Sequence, residues 1–409
     1  MTPTALRILL ADADAFYVAV ARLVDPEGAG RARLLIVGGT AEHRGVVTSA
    51  SYEARAFGVR SAMPTARALR LCPGATVVPV SWDACAEKGR EIRVVLERFA
   101  PVVEQASSDE FYLDLTGTEK LYHEEPLAET ARRMRDAVHA ATSLWVSIGG
   151  GTSKFVAKLA AGVAKPALDS PGSAGGVHVV APGDEAEFLR RFALADLPMV
   201  GPKFQQRLER LGWRTVTDVQ PLDRRELVSR LGEREGQWLW ERVRGMDDAP
   251  VAAWTDAKSI SRDTTFATDL DAEGDLLREL LQQVDRATSD LRADGRVART
   301  ITVKLRDADF TTRQASRTLP EPVLTDRAVY AVARELLQKL RTARRMPARL
   351  IGVALSQLDR LGGEAQLALL EAERARSPET EKDRSLARAI DAVRDRFGPD
   401  ALGRARTRG

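Results

Sequence analysis

The first 165 residues alternate between short apolar runs of strand length and longer segments of helical character. This alternation predicts an α/β or α+β core. A helix is expected from about residue 15, and three consecutive glycines are expected to close the strand at 145–148. The other predicted strands are 7–11, 34–37, 102–105 and 111–115, and the predicted helices include 53–71, interrupted at Gly58 and Pro64, and 127–144.

The second half of the chain changes character at two breaks. Residues 166–176 are rich in proline, glycine and serine, and 246–258 resemble a linker between the short helices before it and a strand-containing region after it. In that region residues 300–306 alternate strictly, with Ile301, Val303 and Leu305 facing one way and polar or basic residues the other. A chain of 409 residues is therefore expected to form several domains.

Acidic residues lie at the ends of two predicted strands. Asp12 ends the first strand, and Asp109 and Glu110 lie at the tip of a predicted hairpin. Carboxylates from separate strand ends can converge on Mg²⁺, which prefers oxygen ligands. Acids are also common in turns and helix caps, so the pattern alone leaves both interpretations open.

Cationic residues suggest phosphate binding without establishing it. Tyr52 and Arg55 follow a β-like run, and Lys165 follows a predicted helix. Net charge is only +3, so a local basic stripe on a nearly neutral chain suits a phosphate backbone, although a solvated charged face is the ordinary alternative. The stripe contains Arg296, Arg299, Lys304, Arg306, Arg313 and Arg317, followed by Arg341, Arg344, Arg345 and Arg349.

Four motifs, in order and at suitable separations, resemble those of the Y-family of translesion DNA polymerases, above all its bacterial polymerase IV group. Residues 12–17 (DADAFY) resemble the first motif, and residues 107–114 (SSDEFYLD) resemble the second. Between them, residues 51–64 resemble the fingers segment, and residues 153–160 and 164–166 resemble the end of the palm. The resemblance covers about residues 6–358.

The resemblance implies a multidomain α+β fold of the right-hand polymerase type. It comprises a ferredoxin-like palm (1–16 and 80–170), small fingers (17–79), a helical thumb with a helix-hairpin-helix-like segment (171–246), a linker (247–257), an α/β little finger (258–358) and a C-terminal tail (359–409).

The resemblance also implies roles for individual residues. Two Mg²⁺ ions would be bound by Asp12, Asp109, Glu110 and the backbone carbonyl of Ala13, with the three acids forming the catalytic site. Tyr17 would be the steric gate that excludes the 2′-hydroxyl of a ribonucleotide. The incoming triphosphate would be held by Ser49, Tyr52, Arg55 and Lys165, and DNA by Gly201, Lys304, Arg306 and Arg313.

Three positions depart from the family pattern. Ala21 replaces the usual glutamate, Gly162 replaces the usual aspartate, and Met199 replaces the first glycine of the thumb hairpin. None of these residues is an implied metal ligand, so they affect the expected thumb affinity and fidelity rather than the expected chemistry.

The tail contains a peptide similar to the one by which polymerases bind the sliding clamp. Its residues are Gln366, Leu367, Ala368, Leu369 and Leu370, with Leu370 where the motif prefers phenylalanine. An ordinary helical turn is the alternative. Further on, Leu386, Ile390, Val393 and Phe397 recur at helical spacing and predict an amphipathic helix.

The function expected from these features is template-directed, low-fidelity DNA synthesis on primer-template DNA with deoxynucleoside triphosphates. Alternatives are a catalytically weak DNA-binding accessory subunit, which retention of the acids disfavours, and an unrelated nuclease or nucleotide cyclase, which the fingers segment disfavours. No apolar run is long enough for a membrane helix, and Cys72 and Cys85 lack metal-ligand spacing. A monomer in the cytoplasm, without membrane association, is therefore expected.

Overall fold

The computed structural model describes residues 6–166, 176–361, 379–398 and 401–402, and it divides the chain into two compact units, 1–255 and 256–409. No helix in these ranges is long and apolar enough to cross a membrane.

The first unit contains two sheets and a set of helices. Its strands are β1 (Ile8–Ala13), β2 (Leu35–Gly38), β3 (Val47–Ala50), β4 (Thr76–Val78), β5 (Val102–Gln105), β6 (Glu110–Asp114), β7 (Val146–Gly151) and β8 (Val177–Val179). Its helices are α1 (Phe16–Val24), α2 (Tyr52–Ala56), α3 (Thr65–Leu71), α4 (Trp82–Leu96), α5 (Leu127–Thr142), α6 (Lys154–Ala164), α7 (Glu185–Leu189), α8 (Pro202–Arg210), α9 (Val216–Val219), α10 (Arg224–Leu231) and α11 (Glu233–Arg242), with 3₁₀ turns at Glu119–Tyr122 and Leu194–Asp196.

The larger sheet of this unit has the strand order β5-β6-β1-β7-β8, and helices cover both of its faces. Side chains of a strand alternate between the two faces. Leu9 and Ala11 of β1 accordingly pack in the cluster that contains residues of α4 and α5, whereas Ile8 and Leu10 pack with residues of α6. Because both faces are covered, every residue of β1 is buried, which makes its end a rigid place for a functional side chain.

The glycines at 149–151 do not close a strand, as the sequence had suggested, but lie inside β7. A Cβ on Gly149 would lie 1.9 Å from the backbone nitrogen of Ala161 and 2.2 Å from the carbonyl oxygen of Ala157. Glycine is therefore required because α6 approaches the sheet too closely for any side chain. The prediction was wrong because the sequence does not reveal this helix–strand distance.

The smaller sheet has the strand order β3-β2-β4. The helical segment predicted at 53–71 is divided into α2 and α3, as the predicted interruptions at Gly58 and Pro64 imply. The later helices of the unit share a core that contains Leu208, Trp213 and Leu239, together with Phe155 and Leu159 of α6. Residues 246–258, predicted to be a linker, contain neither helix nor strand.

The second unit is a four-stranded sheet of order β11-β10-β12-β9 with two long helices on one face. The alternation predicted at 300–306 is confirmed, since Ile301, Val303 and Leu305 are fully buried against these helices. The elements are β9 (Ser259–Leu270), α12 (Glu273–Ala293), β10 (Arg296–Asp307), β11 (Thr312–Val323), α13 (Asp326–Ala343), β12 (Ala348–Arg360) and α14 (Glu381–Phe397).

The helix predicted near the C-terminus is α14, and of the four apolar residues predicted for its face, Ile390 and Val393 are partly buried. Leu386 and Phe397 are exposed, and Ala387 is the residue of α14 that is buried. Ion pairs attach α14 to α12, with Arg292 on Asp391 at 2.5 Å and Arg394 on Asp285 at 2.7 Å.

Candidate active site

The acids at the ends of β1 and β6 come together because these strands are antiparallel neighbours. Asp12 is the direct partner of Glu110 in the strand pairing, and the backbone N–H of Ala13 donates to the carbonyl oxygen of Asp109 at 3.0 Å. The three acids that the sequence singled out therefore share one edge of the larger sheet.

The electrostatics of Asp12 reflect this crowding. Burial raises the pKa of its carboxyl group from 3.8 to about 6, Lys165 opposes that rise, and the charges of Glu110 and Asp109 add to it. A buried carboxylate beside two other carboxylates attracts a cation, because the positive charge stabilises its ionised form.

Lysines and a hydroxyl contact these carboxylates in the structure. Lys165 Nζ lies 2.8 Å from Asp12 Oδ2, and Lys158 Nζ lies 2.7 Å from Glu110 Oε2. Ser107 Oγ donates to Asp109 Oδ1 at 2.7 Å. In this arrangement no three His, Cys, Asp or Glu side chains of the described ranges stand close enough to hold a metal ion.

The donor chemistry nevertheless suits Mg²⁺. Carboxylate oxygens are the hard ligands that this ion prefers, and it usually takes one or two of them together with substrate phosphates. Both lysine side chains are about a third exposed and flexible, so they can move into water when a divalent cation takes their place. Lys165, predicted to bind the triphosphate, thus lies at the acids themselves.

A second group of predicted residues lies on β3 and α2. The Arg55 guanidinium donates from Nε to the carbonyl oxygen of Ala50 at 2.9 Å and from Nη2 to Ser49 Oγ at 3.4 Å, and it lies 5.0 Å from the centre of the Tyr52 ring. Ser49, Tyr52 and Arg55 therefore form one cluster of donors suited to an anion.

Asp14, which follows β1 and was not among the predicted site residues, connects this cluster to the acid-bearing strand. Its Oδ1 accepts from Ser147 Oγ at 2.6 Å, and its charge acts on the Tyr52 phenol. Burial first, and the charge of Asp14 next, raise the pKa of the Tyr52 phenol, so the hydroxyl stays protonated. In the sequence, the feature that could have indicated Asp14 is its place as the second aspartate of the first motif. Lys158, also missed, lies one helical turn beyond Lys154.

Tyr17 lies in the first turn of α1, next to the acids. Its hydroxyl donates to Ser108 Oγ at 3.3 Å, and its ring meets that of Trp82 edge to face at 6.1 Å. Ala15, which precedes α1, adopts the left-handed conformation with φ of 46°. Such a conformation is uncommon for a residue other than glycine and tends to occur at functional sites.

Three of the residues predicted to contact DNA are exposed or partly exposed. Lys304 and Arg306 project from the face of β10 that α12 and α13 leave uncovered, where Lys304 pairs with Asp263 and Arg306 donates to Thr312 Oγ1 at 2.8 Å. Gly201 precedes α8 with open space where a Cβ would stand.

Arg313 has a different set of contacts. Its Nη2 and Nε donate to the fully buried carboxylate of Asp307 at 2.9 and 3.1 Å, and its Nη2 also donates to the carbonyl oxygen of Arg344 at 3.2 Å. The guanidinium is committed inside the second unit, where it ties β11 to β10 and to the end of α13. These bonds give Arg313 a structural role, and its predicted contact with DNA stays a prediction.

The departures from the family pattern have local consequences. Met199 is exposed and adopts φ of 75°, the left-handed conformation that glycine tolerates better. A Cβ at Gly162 would meet nothing, so packing does not require glycine there, and Ala21 is buried. The predicted clamp peptide, Gln366 to Leu370, lies outside the described residues.

Comparison with known proteins matches three consecutive parts of the chain to family models. Residues 11–162 match the impB/mucB/samB family, 195–247 match the DNA polymerase-iota thumb domain, and 257–369 match the impB/mucB/samB family C-terminal domain. The chain is 35% identical to DNA polymerase IV of Dehalococcoides mccartyi (strain CBDB1) over 98% of its own length and 97% of that protein. The chain belongs to the Y-family of DNA polymerases.

Solved Y-family structures agree with this assignment. A Y-family DNA polymerase chimera, Dbh-Dpo4(243-245)-Dbh, superposes with a TM-score of 0.76 at 24% identity, covering 87% of this chain and 99% of the chimera. A structure titled as an insertion ternary complex of Dbh DNA polymerase gives 0.59 at 25% identity, over 86% of this chain and 98% of Dbh. The predicted multidomain α+β polymerase fold is confirmed, and so is the predicted activity class, a DNA-directed DNA polymerase of the translesion group.

Proposed function

We propose that this polymerase adds deoxynucleotides to a primer 3′ end by two-metal-ion phosphoryl transfer during DNA damage tolerance. The observation that carries the proposal is the meeting of Asp12, Asp109 and Glu110 at one sheet edge. The cluster of Ser49, Tyr52 and Arg55 supports it, because Asp14 connects that cluster to the same edge.

Asp12, Asp109, Glu110 and the backbone carbonyl of Ala13 would hold two Mg²⁺ ions. Such ions supply charge stabilisation for the attacking and leaving oxygens of the transferred phosphoryl group. The chain itself provides the rigid placement of the carboxylates, because buried β1 fixes Asp12 and its pairing with β6 fixes Glu110. Arg55 orients the triphosphate through its planar fork.

Lys165 and Lys158 would exchange partners during the reaction cycle. Each neutralises a carboxylate in the structure, and each is on a mobile stem. When Mg²⁺ and nucleotide bind, Lys165 would transfer from Asp12 to the triphosphate, in keeping with its predicted role. Asp12 and Glu110 would then have a positive partner throughout the cycle, either a lysine or Mg²⁺. This matters because a buried carboxylate without a counter-charge is unfavourable.

Tyr17 would act as the steric gate towards the sugar. We assign the palm to 1–16 and 80–170, the fingers to 17–79, the thumb to 171–246, the linker to 247–257, the little finger to 258–358 and the tail to 359–409. Lys304 and Arg306 on β10, with the amide of Gly201 in the thumb, would contact DNA phosphates. Phosphate contacts of this kind position the duplex without reading its sequence.

The test of the catalytic assignment is Asp109→Ala, assayed by primer extension with Mg²⁺ and by DNA binding. Loss of incorporation with retained binding is expected, because Asp109 holds metal and does not hold template. Ser107→Ala is the matched control, since it removes a hydrogen bond to Asp109 while leaving the carboxylate in place. Full extension by Asp109→Ala would rule out the metal assignment, and an inactive wild-type protein that still binds DNA would favour an accessory subunit.

The replication sliding clamp is the proposed protein partner of an otherwise monomeric, cytoplasmic enzyme. The support is the peptide from Gln366 to Leu370, in which Gln366 would supply polar recognition and Leu367, Leu369 and Leu370 apolar anchors. Tethering raises the effective concentration of enzyme at the primer end. Deleting 366–370 should spare basal synthesis and reduce stimulation by loaded clamp, whereas equal stimulation of both proteins would place any clamp contact elsewhere.

A further inference from the structure

The side chain of Tyr17 is held by residues far from it in sequence. Its hydroxyl donates to Ser108 Oγ at 3.3 Å, and its ring packs edge to face against Trp82, with 78° between the ring planes. On its third side Phe16 lies at 5.3 Å, also edge to face. Edge-to-face pairs with centroid distances of this size are attractive and direction-dependent.

These contacts matter because the backbone before Tyr17 supplies no side-chain cap. Ala15 stands at the N-cap of α1 in a left-handed conformation, without a side-chain hydrogen bond to the helix. Tyr17 therefore lies in a first turn that lacks this common restraint. The direction of its ring is set by the rotamer of Tyr17 and by the side chains that it touches.

Trp82 is the first residue of α4, and 64% of it is exposed. A tryptophan at this level of exposure contributes little to the core, and its ring meets the ring of Tyr17 edge to face. Ser108 directly precedes Asp109 in the turn before β6, and its hydroxyl thus joins the ring of Tyr17 to the loop that carries a proposed metal ligand.

We propose that Trp82 and Ser108 are positioning residues that fix the Tyr17 ring and so set how strictly the site excludes ribonucleotides. This inference rests on the proposed function, in which Tyr17 is the steric gate. A gate excludes a 2′-hydroxyl only while its ring stays in place, and a ring that can rotate aside admits the extra oxygen. Trp82 restrains the ring by packing, and Ser108 restrains its end by a hydrogen bond.

The experiment measures kcat/KM for a deoxynucleotide and for the matching ribonucleotide, in primer extension by full-length protein. Trp82→Ala should lower the selectivity ratio about three- to ten-fold, the range expected for one aromatic pair. Most of the change in the ratio should come from a higher kcat/KM for the ribonucleotide. Trp82→Phe, which keeps an aromatic edge, should restore most of the ratio, and Leu121→Ala, another exposed apolar residue of the first unit, should leave it unchanged.

The hydrogen bond is tested by a double-mutant cycle. Ser108→Ala and Tyr17→Phe remove the same bond from its two ends, so the double variant should show no larger loss of selectivity than either single variant. Each single variant should lower the ratio by about two- to three-fold or less, because the bond is long and exposed. Additive effects would show that Ser108 and Tyr17 act independently.

The outcomes separate this inference from the function on which it rests. If Tyr17→Ala leaves the ratio unchanged, the gate assignment is wrong. If Tyr17→Ala admits ribonucleotides while Trp82→Ala keeps the wild-type ratio, or lowers both efficiencies equally, only the positioning role of Trp82 is wrong.

Discussion

Replacing Asp12 by asparagine should stabilise the metal-free protein while abolishing nucleotide incorporation. Burial raises the pKa of the Asp12 carboxyl group from 3.8 to about 6, despite the opposing charge of Lys165. A raised carboxyl pKa means that the ionised form is less favourable in the folded chain than in the unfolded one. At neutral pH the charge of Asp12 therefore destabilises the fold, and a neutral side chain of the same shape removes that cost.

The magnitude follows from linkage. One pH unit in pKa corresponds to about 1.4 kcal/mol, so moving the pKa from 3.8 to about 6 corresponds to about 3 kcal/mol at pH 8. Asp12→Asn also deprives Lys165 of its partner, but that side chain is about a third exposed and can hydrate. We therefore expect a net gain of about 1–3 kcal/mol in the free energy of unfolding.

The sign of the pH dependence is fixed by the direction of the shift. Protonation of Asp12 favours the folded state, so this contribution to stability is fully present below pH 3.8 and is lost as the pH rises through about 6. The advantage of Asp12→Asn should therefore be largest above pH 6 and should disappear as the pH falls towards 4.

Denaturant unfolding with chelator at pH 8, 6 and 4.5 measures this difference. Asp25→Asn is the control of opposite sign, because backbone amides of Ala29 and Gly28 lower the pKa of the Asp25 carboxyl group. Asp25→Asn should give no stabilisation. The reasoning would be refuted if Asp12→Asn were less stable than wild type at pH 8. It would also be refuted if the difference in the free energy of unfolding between the two proteins were the same at all three pH values.

Three other perturbations test separate parts of the molecule. Changing both Lys304 and Arg306 to alanine should weaken binding to any DNA sequence and lower the salt slope of log K by about 0.9 per lost duplex phosphate contact; an unchanged slope would show that this face of β10 does not meet DNA. Met199→Gly should raise unfolding free energy by about 0.5–1 kcal/mol, since φ of 75° strains methionine, and no gain in denaturant unfolding would contradict this. Glu379→Gln should destabilise the second unit by about 1–3 kcal/mol, because the buried carboxylate accepts from the amides of Leu324 and Thr325 at 2.6 and 3.0 Å. An unchanged unfolding midpoint would show that these hydrogen bonds do not stabilise the unit.

The local sequence determined the features that depend on periodicity and on motif. Strict alternation at 300–306 was enough to orient β10, because one face of a strand must be apolar when helices cover it. The acids of the two polymerase motifs were identifiable because their order and spacing are rare together. Gly58 and Pro64 likewise marked the break between α2 and α3, since both residues disfavour a continuous helix.

Only the tertiary structure decided which side chains meet. The pairing of Lys165 with Asp12, and the contact of Trp82 with Tyr17, join residues that no local pattern relates. The same holds for Gly149, whose need for glycine comes from the approach of α6, and for Arg313, whose hydrogen bonds to Asp307 the sequence does not reveal. The physical reason is common to all four: periodicity reports which face of an element is buried, whereas distance between elements and the partner of a charge depend on how the whole chain packs.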